Sequence, residues 1–160
     1  MKRFGVALAM ILALTPVARA QVNDNPTGPQ PQLPTAPLSI TADNGKVYNF
    51  TVELAATPQE QATGEMFRTN IPATSGMLFV WPQPADQAMW MENCPVPEDM
   101  VFIGADGTIL AIAENTVPYS TRAVSAGQPE AAVLELQGGI TATDGISVGD
   151  KVVAKPFGGG

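Results

Sequence analysis

The sequence predicts a mostly β protein, a single antiparallel β-sandwich or partly open barrel of about eight short strands with one short helix. Apolar and polar residues alternate over short runs, most clearly Tyr48, Phe50, Val52 and Leu54 against Asn49, Thr51 and Glu53, the period of a half-buried strand. Turn signals such as Asp43-Asn44-Gly45, Asp106-Gly107 and Gly138-Gly139 separate the runs. Only Thr57-Pro58-Gln59-Glu60 carries helix-start chemistry, a capping Thr, a Pro at the first helical position and a reciprocating Glu. There is no repeat and no room for a second domain in 160 residues.

Residues 1–20 read as a signal peptide. Lys2 and Arg3 precede the apolar run Phe4 to Leu14, and Ala18-Arg19-Ala20 supplies the small residues of a cleavage site. That run is too short to span a bilayer, which takes about twenty residues. The expected location is therefore the periplasm or the exterior. Cleavage removes three of the eight basic residues, leaving five against fifteen acids, a net charge of −10. Such a chain repels phosphate backbones, so nucleic acid is not an expected partner. Residues 21–37, with prolines at 26, 29, 31, 34 and 37, read as a disordered extended spacer. The β domain follows over 38–155, and 156–160 form a flexible tail.

Strands are expected at Leu38–Ile40, Lys46–Leu54, Gly76–Trp81, Thr108–Ala113, Ala131–Leu136 and Asp150–Ala154, with a helix of about two turns ended by Gly64. The segment Met89 to Ile103 reads as strand, tight polar connection and second strand. It holds Trp90, three methionines and Cys94, the only cysteine. A lone cysteine allows no internal disulfide. Phe50, Val52, Leu78, Val80, Phe102, Ile109 and Leu134 are the expected core.

The chain contains no histidine, which removes ordinary serine and cysteine triads and imidazole metal sites. It has no phosphate-cradling glycine motif either. Three constellations remain. Met89, Met91 and Cys94 offer soft ligands that suit copper(I), although methionines on apolar strands ordinarily fill core gaps. Carboxylates at Glu92, Glu98, Asp99, Glu135 and Asp150 could serve acid–base chemistry if two converge, with Arg68 the natural partner of Glu135. Trp90, Asn93, Asp99 and Arg68 could line a polar cleft with an aromatic floor.

Gly64-Glu65-Met66-Phe67-Arg68, Gly76-Met77-Leu78-Phe79, Trp90-Met91-Glu92-Asn93, Val96-Pro97-Glu98-Asp99-Met100, Asp106-Gly107, Val133-Leu134-Glu135-Leu136 and Gly149-Asp150 occur in this order. Together they resemble the bacterial and archaeal family of domain of unknown function 192, over roughly Ser39 to Ala154. The resemblance implies one mostly β domain, often behind a signal peptide, and no established activity. Its recurring positions correspond here to Arg68, Asn93, Asp99, Glu135 and Asp150, beside Trp90 and Met91. Glu65, Glu92, Cys94 and Glu98 depart from it, where leucine, lysine, threonine and leucine are common.

The expected function is a non-catalytic exported module binding a small polar ligand or a protein partner through Arg68, Trp90, Met91, Asn93, Asp99 and Glu135. No catalytic residue is assigned, and no cofactor or metal is called for. The alternatives are a hydrolase-like enzyme using Asp99 and Glu135 with Arg68, and copper(I) binding through the Met and Cys side chains.

Overall fold

A computed structural model describes residues 25–155; the signal peptide expected over 1–20 and the tail over 156–160 lie outside them. Seven strands and two short helices follow in the order β1 (Thr35–Thr41), β2 (Val47–Ala55), α1 (Pro58–Thr63), β3 (Ser75–Ala85), β4 (Glu98–Ile103), β5 (Ile109–Ala113), β6 (Glu130–Gln137), α2 (Ile140–Asp144) and β7 (Lys151–Ala154). The strands form one sheet in the order β5-β4-β6-β3-β2-β1-β7. It curls into a half-barrel, and at one end the outer strands are joined by an isolated bridge between Thr108 and Lys151.

The sheet is mixed. β2 and β3 run parallel, with Leu54 opposite Leu78, while all other pairs are antiparallel. The chain leaves β2, passes over α1 and returns in the same direction, and a parallel pair requires such a crossover. The expected helix start is present: Glu60 N donates to Thr57 Oγ1, and Thr57 N donates to Glu60 Oε2 at 2.8 Å.

The alternation along each strand sorts side chains into two cores. Phe50, Val52, Leu78, Val101, Ile109 and Leu134 belong to one, and Met77, Phe79, Met91, Met100, Phe102 and Val133 to the other. β4 is buried along its whole length, because this part of the sheet is covered on both faces. All seven expected core residues are buried except Val80, which is half-buried against the first core.

Three elements differ from expectation. Met89 to Asn93 is not a strand; Met89 makes one isolated bridge to Val124, and the left-handed φ of 59° at Asn93 turns the chain away. α2 is a second helix where the sequence predicts only one, and the amides of Gly139 and Thr141 at its start are satisfied by Asp99, distant in sequence. The described part of the proline-rich segment lies against the domain. Thr35 to Pro37 pair with β2, Leu33 N donates to Glu53 Oε2 at 2.7 Å, and the Gln30 amide donates to the carbonyls of Glu60 and Gly64. Prolines remove donors, but they leave side chains and neighbouring amides free to dock.

Candidate functional site

The second core is incomplete beside β3. Met77, Phe79 and Trp81 alternate onto that face, with Phe79 and Trp81 stacked at a centroid distance of 6.4 Å. Against them lies a cavity of about 280 Å³, walled by Trp81, Trp90, Met66 and Met89 and reaching Glu65, Cys94 and Glu135. Trp90 is 49 % exposed, which places it at the rim.

Strand register builds the floor. Glu135 of β6 sits opposite Met77 of β3 on one side and Met100 of β4 on the other. Glu98 opposes Gln137, so Glu98 and Glu135 are diagonal neighbours on one sheet face, within reach of long side chains. The third acid, Glu65, comes from the turn after α1. Gly64 ends that helix with φ 49° and ψ −134°, and a Cβ there would lie 2.9 Å from the Phe79 ring. Only glycine fits both the dihedrals and the space, and the turn directs Glu65 inward.

These three glutamates are 3 % (Glu65), 1 % (Glu98) and 3 % (Glu135) exposed. Neither oxygen of Glu98 meets an amide, hydroxyl or amine donor. Its neighbours are the Cys94 thiol and the Glu135 carboxyl, and two carboxyls buried this close repel each other when both are charged. Burial accordingly raises all three acids: Glu65 to about 7, partly offset by Arg68; Glu98 to about 8, with Glu65 adding repulsion; and Glu135 well above its ordinary range, with Glu98 and Glu65 adding to it. Burial also pushes the Cys94 thiol up, with the charges of Glu98 and Glu135 adding to it, so it is a poor nucleophile.

The six expected site residues divide among several places. Trp90 and Glu135 meet at the cavity. Arg68 does not pair with Glu135; it forms a two-pronged pair with Glu53 at 2.7 and 2.9 Å and lies 3.2 Å from Glu65. It faces a separate hollow of about 170 Å³ that shares Glu65 with the first. Met91 is buried, accepts from the Thr116 hydroxyl at 3.1 Å and borders another hollow. Asn93 holds its loop, its carbonyl accepting from Phe67 N at 2.8 Å and its amide donating to Met66 Sδ.

Asp99 points to the opposite face of β4 from Glu98. It accepts from Asn115 N, Gly139 N, Thr141 N and Thr141 Oγ1 at 2.6–2.9 Å. The pairing of Asp99 with Glu135 required by a hydrolase therefore does not form. Asp150 accepts from Asp43 N and Ser147 N and fastens two turns. The proposed copper ligands are also split, since Met89 and Cys94 border the first cavity and Met91 another. Among the described residues, no three His, Cys, Asp or Glu side chains form a group able to hold a metal ion.

The model of the family DUF192, Uncharacterized ACR, matches residues 39–154. The chain belongs to this family. Two crystal structures resemble this DUF192 member. One, a protein from Sinorhizobium meliloti 1021 described as a proposed transcription regulator, is 35 % identical with a TM-score of 0.77, over 79 % of this chain and 98 % of its own. The other, a protein of unknown function from Novosphingobium aromaticivorans DSM 12444, is 37 % identical with a TM-score of 0.73, over 84 % of this chain and 99 % of its own. None of the curated proteins matches the chain.

Proposed function

We propose that this DUF192 domain is exported and non-catalytic, and that it binds a small ligand in the cavity between Trp81, Trp90 and the Glu65–Glu135 floor. The observation that carries the reading is the cavity itself: about 280 Å³, open at an exposed tryptophan and ending on buried carboxyls. Apolar walls with a few convergent polar groups are the usual composition of small-molecule sites. Against catalysis stand the separation of Asp99 from Glu135 and the buried, protonated thiol of Cys94. Export is supported by the charged end, apolar run and Ala18-Arg19-Ala20 of the N-terminal segment. The regulator description of the S. meliloti protein does not suit this chain, whose net charge of −7 opposes nucleic acid.

The test is a thermal-shift and calorimetric screen of amines, polyols, carboxylates and short peptides against the parent and a Trp90→Ala variant. Ligands that bind the parent and lose affinity in the variant support the reading. A screen with no binder, or binders indifferent to Trp90, overturns it.

A further inference from the structure

We propose that the cavity takes an organic cation, an amine with a small apolar body, whose nitrogen is received by Glu65 and Glu135 while the body lies against Trp81 and Trp90. This rests on the ligand-binding reading above and names the ligand class.

The charge balance of the cavity carries the argument. No Lys or Arg borders it. The nearest cation, Arg68, is held by both oxygens of Glu53, lies 3.2 Å from Glu65 Oε2 and faces the neighbouring hollow rather than this one. The Gln61 amide in the wall already donates to the carbonyls of Ala55 and Val80. An anionic guest would thus meet carboxyls and no cation. What the floor offers is acceptors: Glu135, Glu65, whose Oε2 lies 3.2 Å from Arg68 Nε without an aligned hydrogen bond, and behind them Glu98 with both oxygens lacking a donor. A buried acceptor without a donor forfeits its hydration with nothing in return, and the loss grows when it is charged. A guest that brings N–H donors and positive charge relieves the defect. The walls suit the same guest. Tryptophan is the strongest aromatic partner for a cation, and Trp81 and Trp90 leave room for a few carbons.

Binding should be linked to protons. The groups facing the site are Glu65 and Arg68 from the turn after α1, Glu53 from β2, Cys94 from the loop before β4, Glu98 from β4 and Glu135 from β6. In the empty cavity, burial and repulsion from neighbouring acids make the three buried acids hold their protons to higher pH than an exposed carboxyl does. An ammonium group reverses that balance, so a carboxyl proton leaves for the buffer and an ammonium–carboxylate pair remains. Proton release makes binding tighter as pH rises.

The experiment is isothermal titration of the full chain with butylamine, 1-butanol and butyrate, at about pH 6 and about pH 8, in two buffers of different ionisation enthalpy; the amine stays charged at both, as lysine does. The expected result is that butylamine binds at least about ten-fold more tightly than either analogue at the higher pH, releases protons, and weakens at least about ten-fold at the lower pH. Glu135→Gln should remove the preference and the proton release, while the exposed-site control Glu92→Gln behaves as the parent. If Glu135→Gln fails to fold, Glu65→Gln is measured in its place, with the same loss expected. Preference for butanol or butyrate, or amine binding unchanged in the glutamine variant, overturns the inference and leaves the cavity reading standing. Absence of any Trp90-dependent binder in the wider screen removes both.

Discussion

The carboxyls of Glu98 and Glu135 occupy diagonal positions on adjacent strands and share one buried face, with Glu65 close enough to repel both. This arrangement opposes the usual dependence of stability on pH. All three begin from an ordinary value of 4.5, while in the folded chain Glu65 rises to about 7 and Glu98 to about 8. Between these limits the folded chain retains protons that the unfolded chain releases, so stability falls as pH rises. The contributions of Glu65 and Glu98 are complete below about pH 4.5 and lost by about pH 8, and each tenfold gain in proton affinity on folding is worth roughly 1.4 kcal/mol. Glu53 and Glu60, which fall below their ordinary values, act with the opposite sign below that window. Urea midpoints should decrease from about pH 5 to about pH 8, and Glu98→Gln should flatten the decrease and exceed the parent at the upper end. A midpoint that is level or rising over this range would contradict the burial of the three acids together.

Asp99 makes a different prediction from one residue away. Its carboxylate satisfies the backbone amides of Asn115, Gly139 and Thr141 and the Thr141 hydroxyl, and so fastens the start of α2 to β4. Asp99→Ala leaves these donors without an acceptor, at an expected cost of about 3–5 kcal/mol in chemical denaturation. Ligand affinity at the cavity, on the other face of the strand, should be unchanged where the variant is folded. A loss under about 1 kcal/mol would mean that water replaces the carboxylate without penalty.

Strand phase was legible because alternation is local. Phe50, Val52, Leu78, Phe102, Ile109 and Leu134 are buried as their spacing predicts. The floor of the cavity was not legible, because Glu98 next to Asp99 reads as a solvated turn. Only burial of β4 on both faces sends the two neighbours to opposite interiors, and that follows from segments distant in sequence. Arg68 misled for a similar reason: Glu53 and Glu65 are both nearer to it than Glu135. One signal was available. Three of the four departures from the family pattern, Glu65, Cys94 and Glu98, are the residues assembled around Glu135, and two of them place an acid where leucine is common.

Cys94 should be unreactive in the folded chain. Its thiol is buried, and desolvation together with the nearby carboxylates keeps it protonated, whereas alkylation requires the thiolate. Iodoacetamide at about pH 8 should modify the unfolded chain, with a thiol near its ordinary pKa of about 8.5, at least about a hundred times faster than the folded one. Mass spectrometry with and without urea measures the ratio. Comparable rates would place the thiol in water and remove it from the cavity floor.

Gly76 marks a close approach between two strands that frame the site. A Cβ there would lie 2.4 Å from the Glu135 carbonyl oxygen and 2.8 Å from Leu136 Cδ2, and a backbone atom cannot rotate aside as a flexible side chain can. Gly76→Ala must therefore separate β3 from β6 or shift the pairing that sets Met77 opposite Glu135. Overpacking usually costs about 1–3 kcal/mol, and contact with backbone places this case at or above the upper end. The same displacement moves the Glu135 carboxyl away from Glu98, so the fall of stability with pH should become shallower along with the loss of stability. A variant as stable as the parent, with the same pH slope, would show that the two strands do not approach this closely.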